Sequence, residues 1–245
     1  MSEEIILNFI GMIFESFIII IAVILLILIM QRYYEKRHEL TLYLFSIFLN
    51  YVIAILFSWL SKIMVVAQIF NILDPTSLLG WFLYRIKDFR LSEFFVVIGI
   101  FISYIFKVKI FDDGEYNLLQ KYLVIAYGIA SGIYILIFYQ VNNVLLDVIA
   151  FLLVAFYMCI IYIPFMRSSI KAYKSVEQEG FKNAFLSLTV MAFSFLLIFF
   201  NFFIDRLFIL FGSLGFTLFY YLAWSFVLVS VISAYLGYIK PKSKE

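Results

Sequence analysis

The chain has 245 residues, of which 66% are hydrophobic and 14% charged, and its mean hydropathy is +1.08. Soluble domains carry roughly a quarter charged residues and about half apolar ones, so the surplus apolar surface must face lipid. That excludes a soluble globular protein and a disordered one. The net charge of +2 decides nothing as a total, because in a membrane protein the side on which each Lys and Arg lies carries the information.

A hydrocarbon core about 30 Å thick takes roughly 20 helical residues per crossing. Residues 1–245 therefore read as a single transmembrane domain, an all-α integral membrane protein with a seven-transmembrane-helix bundle. The first four residues, Met1-Ser2-Glu3-Glu4, lack the basic start of a cleaved signal peptide, and the apolar run behind them exceeds a signal h-region; it is expected to stay as a helix over 5–30. The further runs lie at 40–60, 91–106, 122–138, 144–163, 184–203 and 208–239. All are read as helices, because an open strand in lipid leaves unpaired amides costing several kcal/mol each and none of the runs alternates as a membrane barrel does.

Between the second and third runs, residues 62–90 are apolar enough to suggest an eighth crossing, but Asp74 and Pro75 would fall at its centre. They suit an N-cap and a first helical position better. The expectation is an outer-surface excursion: the second helix continues past Lys62, turns near Asp74 and re-enters as an extended third helix. With seven crossings and the N-terminus outside, thirteen of 18 basic residues fall on the cytoplasmic side and five remain outside. The positive-inside rule then gives N-out and C-in, as a multi-pass protein of the plasma membrane.

Lipid supplies no hydrophobic drive between helices, so polar and small residues report the faces inside the bundle. Ser187, Ser194 and Asn201 recur every seven residues and Asp205 follows four later, forming one stripe. Asn8, Gly11 and Glu15 share a face of the first helix, Ser46 and Asn50 one of the second, and Gly128 and Gly132 form a small-x-x-x-small pair suited to tight packing within the fold. Glu15 lies ten residues beyond Ile5, about 15 Å down the helix and near mid-membrane. A carboxylate there is a functional candidate by default; the alternative is a register pin bonded to a neighbour such as Asn50. Glu15, Asn8, Asn50, Ser194 and Asn201 make up a candidate mid-membrane polar site.

A second group is outer and charged: Lys62, Arg85, Asp88, Arg90, Glu93, Asp147, Asp205 and Arg206. The i, i+3 spacing of Arg85 with Asp88, and of Arg90 with Glu93, permits intrahelical pairs, and the set could rim an outward-facing cavity. The competing reading is an interfacial segment whose cations snorkel to phosphates. Asp147, one turn inside its helix, reads as a solvated end or cap. At the cytoplasmic side Arg167, Lys171, Lys174 and Lys182 offer a contact for anionic lipid or a soluble protein.

No His-Glu-x-x-His is present, the one histidine, His38, cannot supply a multi-histidine metal site, and Cys159 is the lone cysteine. An enzyme, a bound metal or cofactor, and a nucleic-acid partner are therefore not expected. Seven helices with N-out topology resemble the rhodopsin and G-protein-coupled-receptor architectures, a likeness of topology over the whole chain that rests on no motif. A retinal linkage would need a lysine in the last helix, and there is none between Phe208 and Ile239. The seven-helix sugar-transporter type places prolines within several helices, whereas Pro75, Pro164 and Pro241 are the only ones here. Three functions are expected from different classes: a receptor-like or sensory protein with an outer or mid-membrane pocket coupled to basic inner loops and a partner, a small transporter or proton-linked permease using Glu15, and an accessory subunit bound to another membrane protein.

Overall fold

The computed structural model describes residues 2–71, 74–112 and 114–239. In chain order the helices are α1 (Glu3–Lys36), α2 (Glu39–Val66), α3 (Leu78–Lys87), α4 (Arg90–Phe111), α5 (Leu118–Ile137), α6 (Val144–Ser175), α7 (Glu179–Leu210) and α8 (Leu218–Ala234), which runs on into a π-helical turn, Tyr235–Ile239. All but α3 are long and apolar enough to cross a membrane, and no strand occurs among the described residues.

Local chemistry sets the helix ends. α1 stops at Arg37, whose left-handed backbone (φ 49°) turns its N–H onto Tyr33 O at 2.7 Å. His38 then caps α2, its Nδ1 accepting from Leu40 N, so the lone imidazole of the chain has a structural use. Asn117 and Asn143 cap α5 and α6 in the same way, supplying acceptors for N–H groups that a helix start leaves unpaired.

Neighbouring helices pack in the order α1, α2, α4, α6, α7, α8 and back to α1, a closed ring of six. α5 lies outside the ring against α4 and α6, with Ile129, Ile133 and Ile137 facing out. Gly128 admits the Tyr157 ring: a Cβ there would stand 2.7 Å from the Tyr157 hydroxyl, which donates to Val124 O. The small-residue pair thus packs α5 onto the ring. The core runs along the ring axis through Ile29, Leu44, Ile100, Val154 and Ala192.

Several boundaries differ from the sequence reading. The extended third helix is two helices, because Asp88 ends α3 and Phe89 takes a left-handed conformation (φ 63°) before α4 begins. Ser77, not Asp74, is the N-cap of α3, its Oγ accepting from Gly80 N; Asp74 sits three residues earlier, accepting from Thr76 N and Oγ1, bonds that hold its carboxyl below the usual range. The last crossing starts at Leu218 and not at Phe208: α7 continues to Leu210, and Gly212, Gly215 and Phe216, all at positive φ, carry the chain around to α8. At the opposite end α6 passes through Pro164 to Ser175 and α7 starts at Glu179. The basic segment between α6 and α7 is consequently a helical hairpin with a three-residue link, on which Arg167, Lys171 and Lys174 are exposed and Lys182 half-buried.

Candidate functional site: a charged layer above an axial cavity

The end of the bundle that carries the chain's N-terminus also carries the α2–α4, α5–α6 and α7–α8 connections, and it concentrates the buried charge. Glu15 of α1 and Lys62 of α2 are both fully buried, with Nζ 2.7 Å from Oε1. The same oxygen accepts from Ser58 Oγ at 2.9 Å and Tyr220 OH at 2.8 Å, so α1, α2 and α8 meet at one carboxylate. The stem of Lys62 fits because residue 11 is glycine: a Cβ there would lie 2.6 Å from the Phe216 ring and 3.1 Å from Lys62 Cε. The partner of Glu15 is therefore Lys62, and not Asn50, which donates to Ser46 O in its own helix.

Across the ring, Arg90 Nη2 donates to Asp147 Oδ1 at 2.7 Å, tying the first turn of α4 to that of α6. Asp147 is thereby half of an ion pair and not a solvated end. Asp205 accepts from both Thr217 N and Thr217 Oγ1, fixing the start of α8. Arg206 lies over the rings of Phe89 and Phe151, 4.5 and 5.3 Å from their centroids, and Phe89 meets Lys62 on 4.8 Å terms as well. The left-handed residue between α3 and α4 thus places one ring between two cations.

Further out, Arg85 donates to Leu136 O and Trp81 O and stacks on Trp81 at 3.8 Å. Asp88 accepts from Tyr139 OH, and burial, aided by that carboxylate, holds the Tyr139 phenol well above its usual range. Neither i, i+3 pair permitted by the spacing forms: Arg85 faces carbonyls and an indole, and Arg90 turns to Asp147. Lys62, Arg85 and Arg90 are all buried with partners inside the protein, in place of the snorkelling geometry.

Glu93 stands apart. It is 2% exposed, and neither carboxylate oxygen has a hydrogen-bond partner. The charged groups within its electrostatic reach are Arg90, Asp147 and Arg206. Glu93 lines the top of an axial cavity of about 90 Å³, whose walls are Val96 of α4, Phe151 of α6, Phe199 and Phe202 of α7, and Val227 and Val231 of α8. Ser58, Ser92, Arg206 and Tyr220 share its polar end. Its α8 wall runs from Tyr220 to Val231, about 16 Å at the helical rise, so the space is narrow and elongated. A polar cavity needs only about 10–15 Å³ to hold one water molecule, and this one has room for several or for a slender organic molecule.

The structure gathers Lys62, Arg90, Glu93, Asp147, Asp205 and Arg206 at one end, with Arg85 and Asp88 on its outer side. It does not gather the mid-membrane set. Asn8 donates to Glu4 O, Ser194 to Val190 O and Asn201 to Leu197 O, each one turn back on its own helix. Among the described residues, Glu15 is the one member of that group that bonds between helices. A separate buried network went unread in the sequence: Tyr51 OH lies 2.6 Å from Tyr162 OH, which lies 2.7 Å from Ser103 Oγ, joining α2, α6 and α4. Its members are scattered tyrosine and serine with no shared spacing, so no local signal marks them.

No family model matches the chain, and neither the curated proteins nor the solved structures contain a significant match to it. The topological likeness to rhodopsin-type bundles thus rests on the number of crossings alone.

Proposed function

We propose that this is a receptor-like seven-helix membrane protein that holds a small amphipathic molecule in the axial cavity, with its N-terminus outside and its C-terminus in the cytoplasm of a cell-membrane protein. The observation that carries the reading is a buried carboxyl, Glu93, with no partner, at the polar end of an otherwise apolar internal space. Ligand pockets are concave, mostly apolar and furnished with a few convergent polar groups, and an unpaired buried polar group is costly enough to need a partner. The orientation is supported by charge: among the described residues, Arg32, Lys36, Arg37, Lys107, Lys109, Lys121, Arg167, Lys171, Lys174 and Lys182 belong to one end and Lys62, Arg85, Lys87, Arg90 and Arg206 to the other. Lys240, Lys242 and Lys244 lie outside the described residues. A permease working through Glu15 is less well supported, because that carboxylate is engaged by three donors and shut from solvent.

Thermal unfolding in lipid nanodiscs tests the proposal. A ligand of the cavity at a hundred times its Kd stabilises by about 2.7 kcal/mol through mass action, and Val227→Phe, which fills the cavity wall, should remove that shift while leaving the ligand-free midpoint within a few degrees. If a broad set of amphiphiles gives no shift, and a membrane protein co-purifies in stoichiometric amount, the accessory-subunit reading replaces this one.

A further inference from the structure

We infer that the polar end of the axial cavity is an ammonium site, so that the molecule it takes is an amphipathic amine: one protonated nitrogen on a slender apolar body. The inference rests on the cavity reading and adds the ligand's chemical class. Two observations carry it. First, the other buried or half-buried carboxyls of this layer are engaged: Glu15 by Lys62, Asp147 by Arg90, and Asp205 by Thr217. Glu93 alone has both oxygens free, and it lines the cavity. What satisfies a free carboxylate is a donor, and a charged donor does so most strongly.

Second, the cavity is aromatic as well as apolar: Phe89, Phe151, Phe202 and Tyr220 line it. Ring faces and a carboxylate together are the usual surroundings of a bound ammonium. The remaining wall, down to Val231, is mostly apolar, with the hydroxyls of Tyr51 and Ser230 bonded elsewhere, and about 16 Å long, which suits an alkyl or similarly narrow chain.

Decylamine, decanol and decanoate share one tail and differ in the head, so they separate the ligand class from the cavity. In nanodiscs of zwitterionic lipid, decylamine should raise the unfolding midpoint at a concentration at least tenfold below that needed with decanol, and decanoate should be the weakest. Glu93→Gln keeps the shape and removes the charge; it should bring decylamine and decanol to within threefold of each other. Val227→Phe should abolish both responses. The comparison of heads uses the unaltered protein, so a failure of Glu93→Gln to fold leaves the inference testable. Decanol or decanoate equalling decylamine in the unaltered protein overturns the ammonium site and leaves the cavity standing. No response to any of the three, or to a wider set of amphiphiles, overturns the cavity reading itself.

Discussion

Glu15 and Lys62 form a buried pair whose value depends on both members being present. Taking one partner from such a pair leaves an uncompensated charge at a cost of roughly 3–5 kcal/mol, whereas replacing both with apolar residues of similar volume is often neutral or better. Glu15→Gln is thus expected to destabilise by that amount in thermal or chemical denaturation, and the double replacement Glu15→Leu with Lys62→Met to recover most of it. Additive losses in the double-mutant cycle would show that the two side chains do not act together. Gly11 belongs to the same construction. Gly11→Leu drives a side chain into the Phe216 ring and the Lys62 stem, and overpacking of this kind costs roughly 1–3 kcal/mol; Gly11→Ala should fall at the lower end. Glu15 is conspicuous in the sequence as a carboxylate in an apolar run, but its partner is not. Lys62 is 47 residues away, and no spacing rule connects positions on different helices. A usable signal was two opposite charges at matching distances from the same end of consecutive antiparallel helices.

At the scale of the helices, the seven crossings were legible because continuous apolar length is a strong signal in lipid, while the breaks were not. Phe89 is left-handed without being glycine or asparagine, a conformation that side chains rarely adopt, so nothing in the local sequence marks the division of α3 from α4. The α7–α8 turn was better marked, by Gly212 and Gly215, yet phenylalanine and leucine on both sides of them made the run read as one helix. The spacing of Arg90 and Glu93 was a true helical relation that pointed to the wrong bond, since Asp147 on another helix offers Arg90 a better approach. α5 gives a direct test of packing outside the ring. Gly128→Ala should destabilise by roughly 1–3 kcal/mol through its clash with the Tyr157 hydroxyl. Adding Tyr157→Phe should restore part of the loss, and a worse double variant would place the strain elsewhere.

For the whole molecule the first matter is orientation. In a Cys159→Ala background, a cysteine at Glu4 should react with a membrane-impermeant thiol reagent on intact cells, and one at Lys174 only after permeabilisation. The reverse pattern would invert the topology without changing the helices. The second matter is transport. Because Glu15 is pinned, pH-dependent flux in proteoliposomes, if any is found, should survive Glu15→Gln as long as the protein stays folded; loss of such flux from a folded variant would return Glu15 to a transport role.

The α6–α7 hairpin extends the meaning of the cavity beyond binding. Phe151 and Met158 of α6 and Phe195, Phe199 and Phe202 of α7 line the cavity, and the same two helices continue without interruption to Ser175 and Glu179. Past Arg167 the α6 arm runs on for about 12 Å. Each helix therefore joins the cavity wall to the basic tip, and Ser169 of α6 donates to Phe185 O of α7 to tie the two arms together. In the receptor-like reading proposed above, a tilt of either helix at the cavity would carry both arms, and the cations Arg167, Lys171, Lys174 and Lys182, as a pair.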